Sequence, residues 1–160
     1  MRGGPLPPAL LCAAIGLALG YAPWRTGLLA CLVVTAVSAA VSILSLPQAW
    51  TDLIFAGCWI SVALSAACVH LPHRIGLPGA VLLAVNGGVW AGMVAKAGGD
   101  GPTLMIALPL LLLCLPSHWL AVSGRGVAVK VAASWLIAIA GLELMVGLTP
   151  TPGYKPDHMD

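Results

Sequence analysis

Residues 27–46 read GLLACLVVTAVSAAVSILSL, a run without one charged side chain that is closed by Pro47. A helix rising about 1.5 Å per residue needs roughly 20 apolar residues to cross a hydrocarbon core about 30 Å thick. This stretch meets the requirement alone, and it reads as a membrane span. Outward from it, residues 51–71 form another apolar run, stopped by Pro72, and residues 76–97, 103–122 and 127–148 form three more. Upstream, residues 6–22 are apolar but short, led by Pro5, Pro7 and Pro8 and closed by Pro23.

Six such spans consume most of the 160 residues, so only short loops remain and no separate soluble domain fits between them. The expected architecture is all-α: a polytopic transmembrane helical bundle of six spans over residues 1–148. A β-barrel is excluded because the runs are continuous rather than alternating. The first run carries an alternative, since Arg2, the apolar stretch and the end Leu19-Gly20-Tyr21-Ala22 also resemble a secretory signal. Cleavage after Ala22 leaves five spans.

Composition points the same way. The chain is 60% hydrophobic and 8% charged, with a mean hydropathy of +1.02. A water-soluble domain carries about a quarter charged residues, and a disordered chain needs low hydrophobicity. Neither fits. The net charge of +2 is spread out, with no basic block to neutralise phosphates, so nucleic acid is not an expected partner. The expected setting is a multi-pass cell membrane protein, in the inner membrane if the host is a bacterium.

With six spans, one face of the membrane receives Arg25, Arg74, Arg125 and Lys130 without a carboxylate. The other receives Arg2, Lys96 and Lys155 together with Asp52, Asp100, Asp157 and Asp160. Counting only Lys and Arg, the first face is the cytoplasmic one and the termini lie outside. Trp24, Trp50 and Trp119 fall at span ends, where an indole sits half in the headgroups.

Ionisable and amide groups at membrane depth need a partner or a purpose. Glu143 lies near the end of the sixth span and Lys96 at the matching end of the fourth, so a pair between them is allowed. Lys130, early in the sixth span, can snorkel to the headgroups. Asn86 is mid-span in Asn86-Gly87-Gly88, and its amide must bond to another helix, as a register contact or as part of a polar pocket. Gly16 with Gly20, and Gly88 with Gly92, form small-x-x-x-small pairs suited to close helix packing. Pro109 and Pro116 interrupt the fifth span, and a kink there frees carbonyls able to line a solute or ion site, or simply shapes the bundle.

Five cysteines without C-x-x-C spacing argue against a disulfide framework. One constellation suggests a metal. Cys68, His70 and His73 close the third span, Cys114 and His118 close the fifth at i,i+4 spacing, and the topology brings both ends to one face. Zinc or copper is the ion such ligands would take. Cysteines acting as small hydrophobes and histidines seated in headgroups explain the same residues, and the sequence favours that account. No nucleophile elbow, phosphate loop or dinucleotide fingerprint is present, so no catalytic residues are expected.

Residues 149–160 hold three prolines within seven positions and read as an extended tail available to a partner. Two functions remain open. One is a non-enzymatic subunit or accessory component of a membrane complex, packing against other membrane proteins or a second copy of itself. The alternative is a small transporter or channel for a metal ion or small solute. The topology has a direct check: reporters fused after Arg74 and after Asp160 fall on opposite faces of the membrane, and agreement between them refutes six spans.

Overall fold

The computed structural model describes residues 5–44, 47–71, 75–98 and 102–148. Prolines and glycines set most of its helix ends. Helix α1 (Leu6–Leu19) carries Pro7 and Pro8 in its first turn, where a missing N–H costs nothing because no acceptor faces it. It stops at Gly20, and Ala22 is held out of helix by the ring of Pro23. Pro23 is extended, and α2 (Trp24–Ser42) begins immediately after it, three residues earlier than the apolar pattern suggests.

A 3-10 turn at Gln48–Trp50 leads into α3 (Thr51–Cys68), and α4 (Leu77–Ala97) starts with Pro78 in its first turn. The fifth rod is composite: α5 (Pro102–Ala107), a 3-10 stretch (Leu108–Leu113) and α6 (Cys114–Val122). Helix α7 (Gly126–Leu148) closes the order, and there is no strand among the described residues. The turn into α7 uses Gly124 at φ +77°, and the Arg125 N–H reaches back to the Leu120 carbonyl at 2.9 Å. That is the six-to-one bond of a Schellman stop, which needs glycine in the left-handed region.

Five rods, α2, α3, α4, the composite and α7, are long and apolar enough to cross a membrane. Their outward faces carry large apolar side chains such as Leu32, Leu53, Leu82, Met105 and Leu142, as a lipid-facing surface does. The chain is therefore a multi-pass helical membrane bundle. Helix α1 departs from the expected first span: its 14 residues reach only about 21 Å at the helical rise. Its place explains its length. It touches every other helix, and Leu11, Cys12, Ala14, Ile15 and Ala18 are fully buried. A rod wrapped by protein need not match the thickness of the bilayer. The tail at 149–160 lies outside the described residues.

The two glycine pairs seat helices inside the bundle. A Cβ on Gly16 would stand 2.9 Å from the Leu110 carbonyl oxygen, and one on Gly20 would overlap Ser117, so α1 receives the composite rod there. A Cβ on Gly88 would stand 2.8 Å from Val37 Cβ, and one on Gly92 would stand 2.6 Å from the Ser38 carbonyl, so α4 receives α2. Hydrogen bonds then complete the end of α1. Tyr21 and Ala22 N–H groups donate to the carbonyls of Ala18 and Leu19. Ser117 donates to the Leu17 carbonyl at 2.8 Å, and His118 Nδ1 donates to the Gly20 carbonyl at 3.0 Å.

The turns after α1, α3 and α6 gather at one end. Tyr21 donates its hydroxyl to the Gly126 carbonyl at 3.2 Å, and His70 meets Ser134 of α7 at 3.4 Å. Arg25, stacked 5.6 Å over the Trp24 ring, and the exposed Arg125 belong to this same end. Stability tests the capping of α1. Ser117→Ala leaves a buried carbonyl unpaired and lowers unfolding stability in micelles by about 1–3 kcal/mol. Gly20→Ala costs more than Gly141→Ala, whose Cβ meets nothing within 4 Å; equal costs would contradict the close packing.

Candidate functional site

Helices α3 and α4 form a hairpin, and in it each residue faces one equally distant from residues 73 and 74. By that register Ser61 meets Asn86 and Gly57 meets Trp90. Both matches are present. Asn86 Nδ2 donates to the Ser61 hydroxyl, and Trp90 Nε1 donates to Asn86 Oδ1 at 3.1 Å. Gly57 provides the room, since a Cβ there would overlap atoms of the Trp90 six-membered ring. Asn86 and Trp90 are one turn apart on α4, as Gly57 and Ser61 are on α3, so the four residues interlock across one helix contact.

Asn86 also stands at the inner end of an apolar groove of about 550 Å³ that runs down the hairpin past Leu83, Leu64, Cys68 and Ile75. The groove offers little chemistry. Its walls are nearly all hydrocarbon, and both ends of the Asn86 amide are already engaged. The mid-membrane amide is thus a fastening between two helices. The sequence marks Asn86 but not Ser61, Gly57 or Trp90; the hairpin register is the signal that finds them.

The five residues proposed as metal ligands go to different contacts. Cys68 lines the α3–α4 groove. His70 donates from Nε2 to the Ser134 hydroxyl, whose own proton goes to the Lys130 carbonyl at 3.0 Å. His118 is used on the Gly20 carbonyl. Cys114 faces Cys31 of α2, sulfur to sulfur 3.8 Å. His73 lies outside the described residues. Among the described residues, no three His, Cys, Asp or Glu side chains stand together as an ion would require.

The remaining polar residues are equally dispersed. Lys96 and Lys130 are exposed, and Glu143 is half-buried on α7, which packs mainly on α3 rather than on α4. Pro109 sits in the 3-10 stretch and Pro116 in the first turn of α6, where proline is tolerated. The irregularity between them takes the form of six residues of 3-10 helix. The Leu110 and Leu111 carbonyls there are turned onto Gly16, and the Cys31 thiol approaches Leu111 O at 3.8 Å. Neither Pro109 nor Glu143 lines the groove that reaches Asn86.

No protein-family model matches the chain, and neither a curated protein nor a solved structure matches it. The fastening between α3 and α4 can be measured. Asn86→Leu strips Ser61 and Trp90 of their partner and lowers stability by about 1–2 kcal/mol, the range for interhelical polar bonds in membranes. The double variant N86L/S61A costs less than the sum of its parts, because both changes delete one interaction. Additive costs would separate the two residues.

Proposed function

We propose that the chain is a non-enzymatic subunit of a membrane assembly, meeting its partner through the outer face of α2. The observation that carries this reading is the residue content of that face. Thr35, Ala36, Ala39 and Ala40 are all exposed, a stretch of small residues between the exposed Leu32 and Ile43, while Val34 and Ser38 on the opposite side are buried against α4. The outer face of α4 differs, presenting Leu77, Val81, Leu82 and Val85.

Large apolar side chains suit acyl chains; a smooth strip of small ones suits the close approach of another helix, where packing replaces the hydrophobic drive that lipid cannot supply. The Thr35 hydroxyl is folded back onto the Cys31 carbonyl at 2.9 Å, which leaves the strip without an unmet donor. Other membrane proteins and a second copy of this chain are the two kinds of occupant the strip suits.

The inside of the bundle supports the same reading. Ser38 donates to the Thr35 carbonyl and Ser117 to the Leu17 carbonyl, so these buried hydroxyls serve the fold. A transporter or channel for a metal ion or small solute remains the alternative; it needs Asn86, the Pro109 region and Glu143 around one polar cavity, and the groove that reaches Asn86 is apolar and lined by neither of the other two. In a bacterial host, a helical bundle of this kind belongs to the inner membrane, since outer-membrane spans are barrels. The end bearing Arg25, Arg125 and Lys130 would face the cytoplasm by the excess of basic residues, with the termini outside.

The test is particle mass in nanodiscs excised directly from the host membrane. The wild-type particle holds more protein than one 16.2 kDa chain. Ala36→Phe and Ala40→Phe reduce it to a single chain, whereas Val81→Phe on the lipid face of α4 does not. A wild-type chain found alone, or indifference to both alanine changes, ends the proposal.

A further inference from the structure

Helix α2 is seated chiefly on α4 and touches α1, the 3-10 stretch and α6 only lightly. At one of these light contacts Cys31 of α2 meets Cys114 at the start of α6, with the two sulfurs 3.8 Å apart. Cys114 is 4% exposed, whereas Cys31 is half-buried, so the pair opens toward lipid on the Cys31 side. Cys12 and Cys58 are sealed in the core, and Cys68 lies on the hairpin groove between α3 and α4.

We propose that Cys31 and Cys114 form an intramembrane dithiol that closes to a disulfide, tying α2 to the fifth rod. The sulfurs must approach from 3.8 Å to about 2.05 Å, which rotation of the two side chains with a small shift of the light α2–α6 contact would supply. The low-dielectric surroundings favour this product over thiolate chemistry. A thiolate, or a monovalent ion bound by two thiolates, leaves net charge in hydrocarbon, whereas a disulfide is neutral.

The step is a two-electron oxidation. Both S–H bonds break, one S–S bond forms, and two electrons with two protons pass to an acceptor. At this depth the acceptor must dissolve in lipid, and a quinone, reduced to its quinol, is the class that balances the step. The bond would fix the position of α2 on the bundle, and the dithiol stands whether or not α2 carries a docking face.

The experiment uses the full chain in nanodiscs, reduced and then exposed to a decyl-substituted benzoquinone. After denaturation, maleimide labelling finds five thiols before treatment and three after it, and the mass falls by two hydrogens. Peptide mapping of the wild-type chain finds Cys31 joined to Cys114, a readout that needs no variant. Cys31→Ser and Cys114→Ser keep their four thiols through the same treatment, while Cys68→Ser drops from four to two. Joining of any other pair, a gain in mass from quinone addition, or five thiols left free would each overturn the proposal.

Discussion

In hydrocarbon, a backbone carbonyl or N–H without a partner has no water to fall back on, and each one left over costs several kcal/mol. The bundle is organised around that constraint at the end of α1. A helix finishing within the protein leaves its last carbonyls bare. Here the chain's own turn takes Ala18 and Leu19, and the fifth rod supplies Ser117 for Leu17 and His118 for Gly20. The arrangement requires contact between α1 and α6 close enough to exclude a side chain on Gly20, which is what the glycine allows. Satisfaction of the backbone and tight packing are therefore one requirement, met by one pair of helices.

The same reasoning accounts for the 3-10 stretch. Pro109 and Pro116 cannot donate, so regular α-helix between them would strand carbonyls in the middle of the membrane. Six residues of 3-10 helix re-pair part of the ladder, and the Cys114 N–H reaches the Leu111 carbonyl. The oxygens of Leu110 and Leu111 are then laid against the bare Cα of Gly16. The Gly16/Gly20 pair thus receives the irregular rod along its length, and Gly88/Gly92 receives α2 in the same manner.

How much of this is legible in the sequence follows from what composition can distinguish. Hydropathy separates membrane from water, so the five long spans and nearly all of their boundaries can be read directly. It cannot separate lipid from protein interior, because both are apolar. For that reason residues 6–22 look like a weak first span or a signal, and nothing in Leu11, Ile15 or Ala18 marks them as the most buried part of the bundle. Asn86 stands out because an amide at that depth must be answered. Its answer, Ser61, follows from hairpin register alone. The Cys31–Cys114 contact joins residues 83 apart through no shared motif or register, and only the packed helices bring it into view.

Helix α2 is the part of the fold on which these arguments converge. One of its faces is committed, pressed onto Gly88 and Gly92 so closely that neither position tolerates a methyl group without movement. The opposite face carries the small-residue stretch between Leu32 and Ile43, and the edge between them meets α1, the 3-10 stretch and α6 lightly, with the two thiols at one of those contacts. Helix α2 has one extensive seat, on α4, and only light contacts elsewhere, so its angle on the bundle is set mainly by that seat. A bond at the thiol edge would add a second anchor, on the fifth rod, and fix the angle at which the outer face is presented. Packing that leaves α2 with one strong contact thus couples its position to chemistry at Cys31, and the coupling requires no polar pathway through the core.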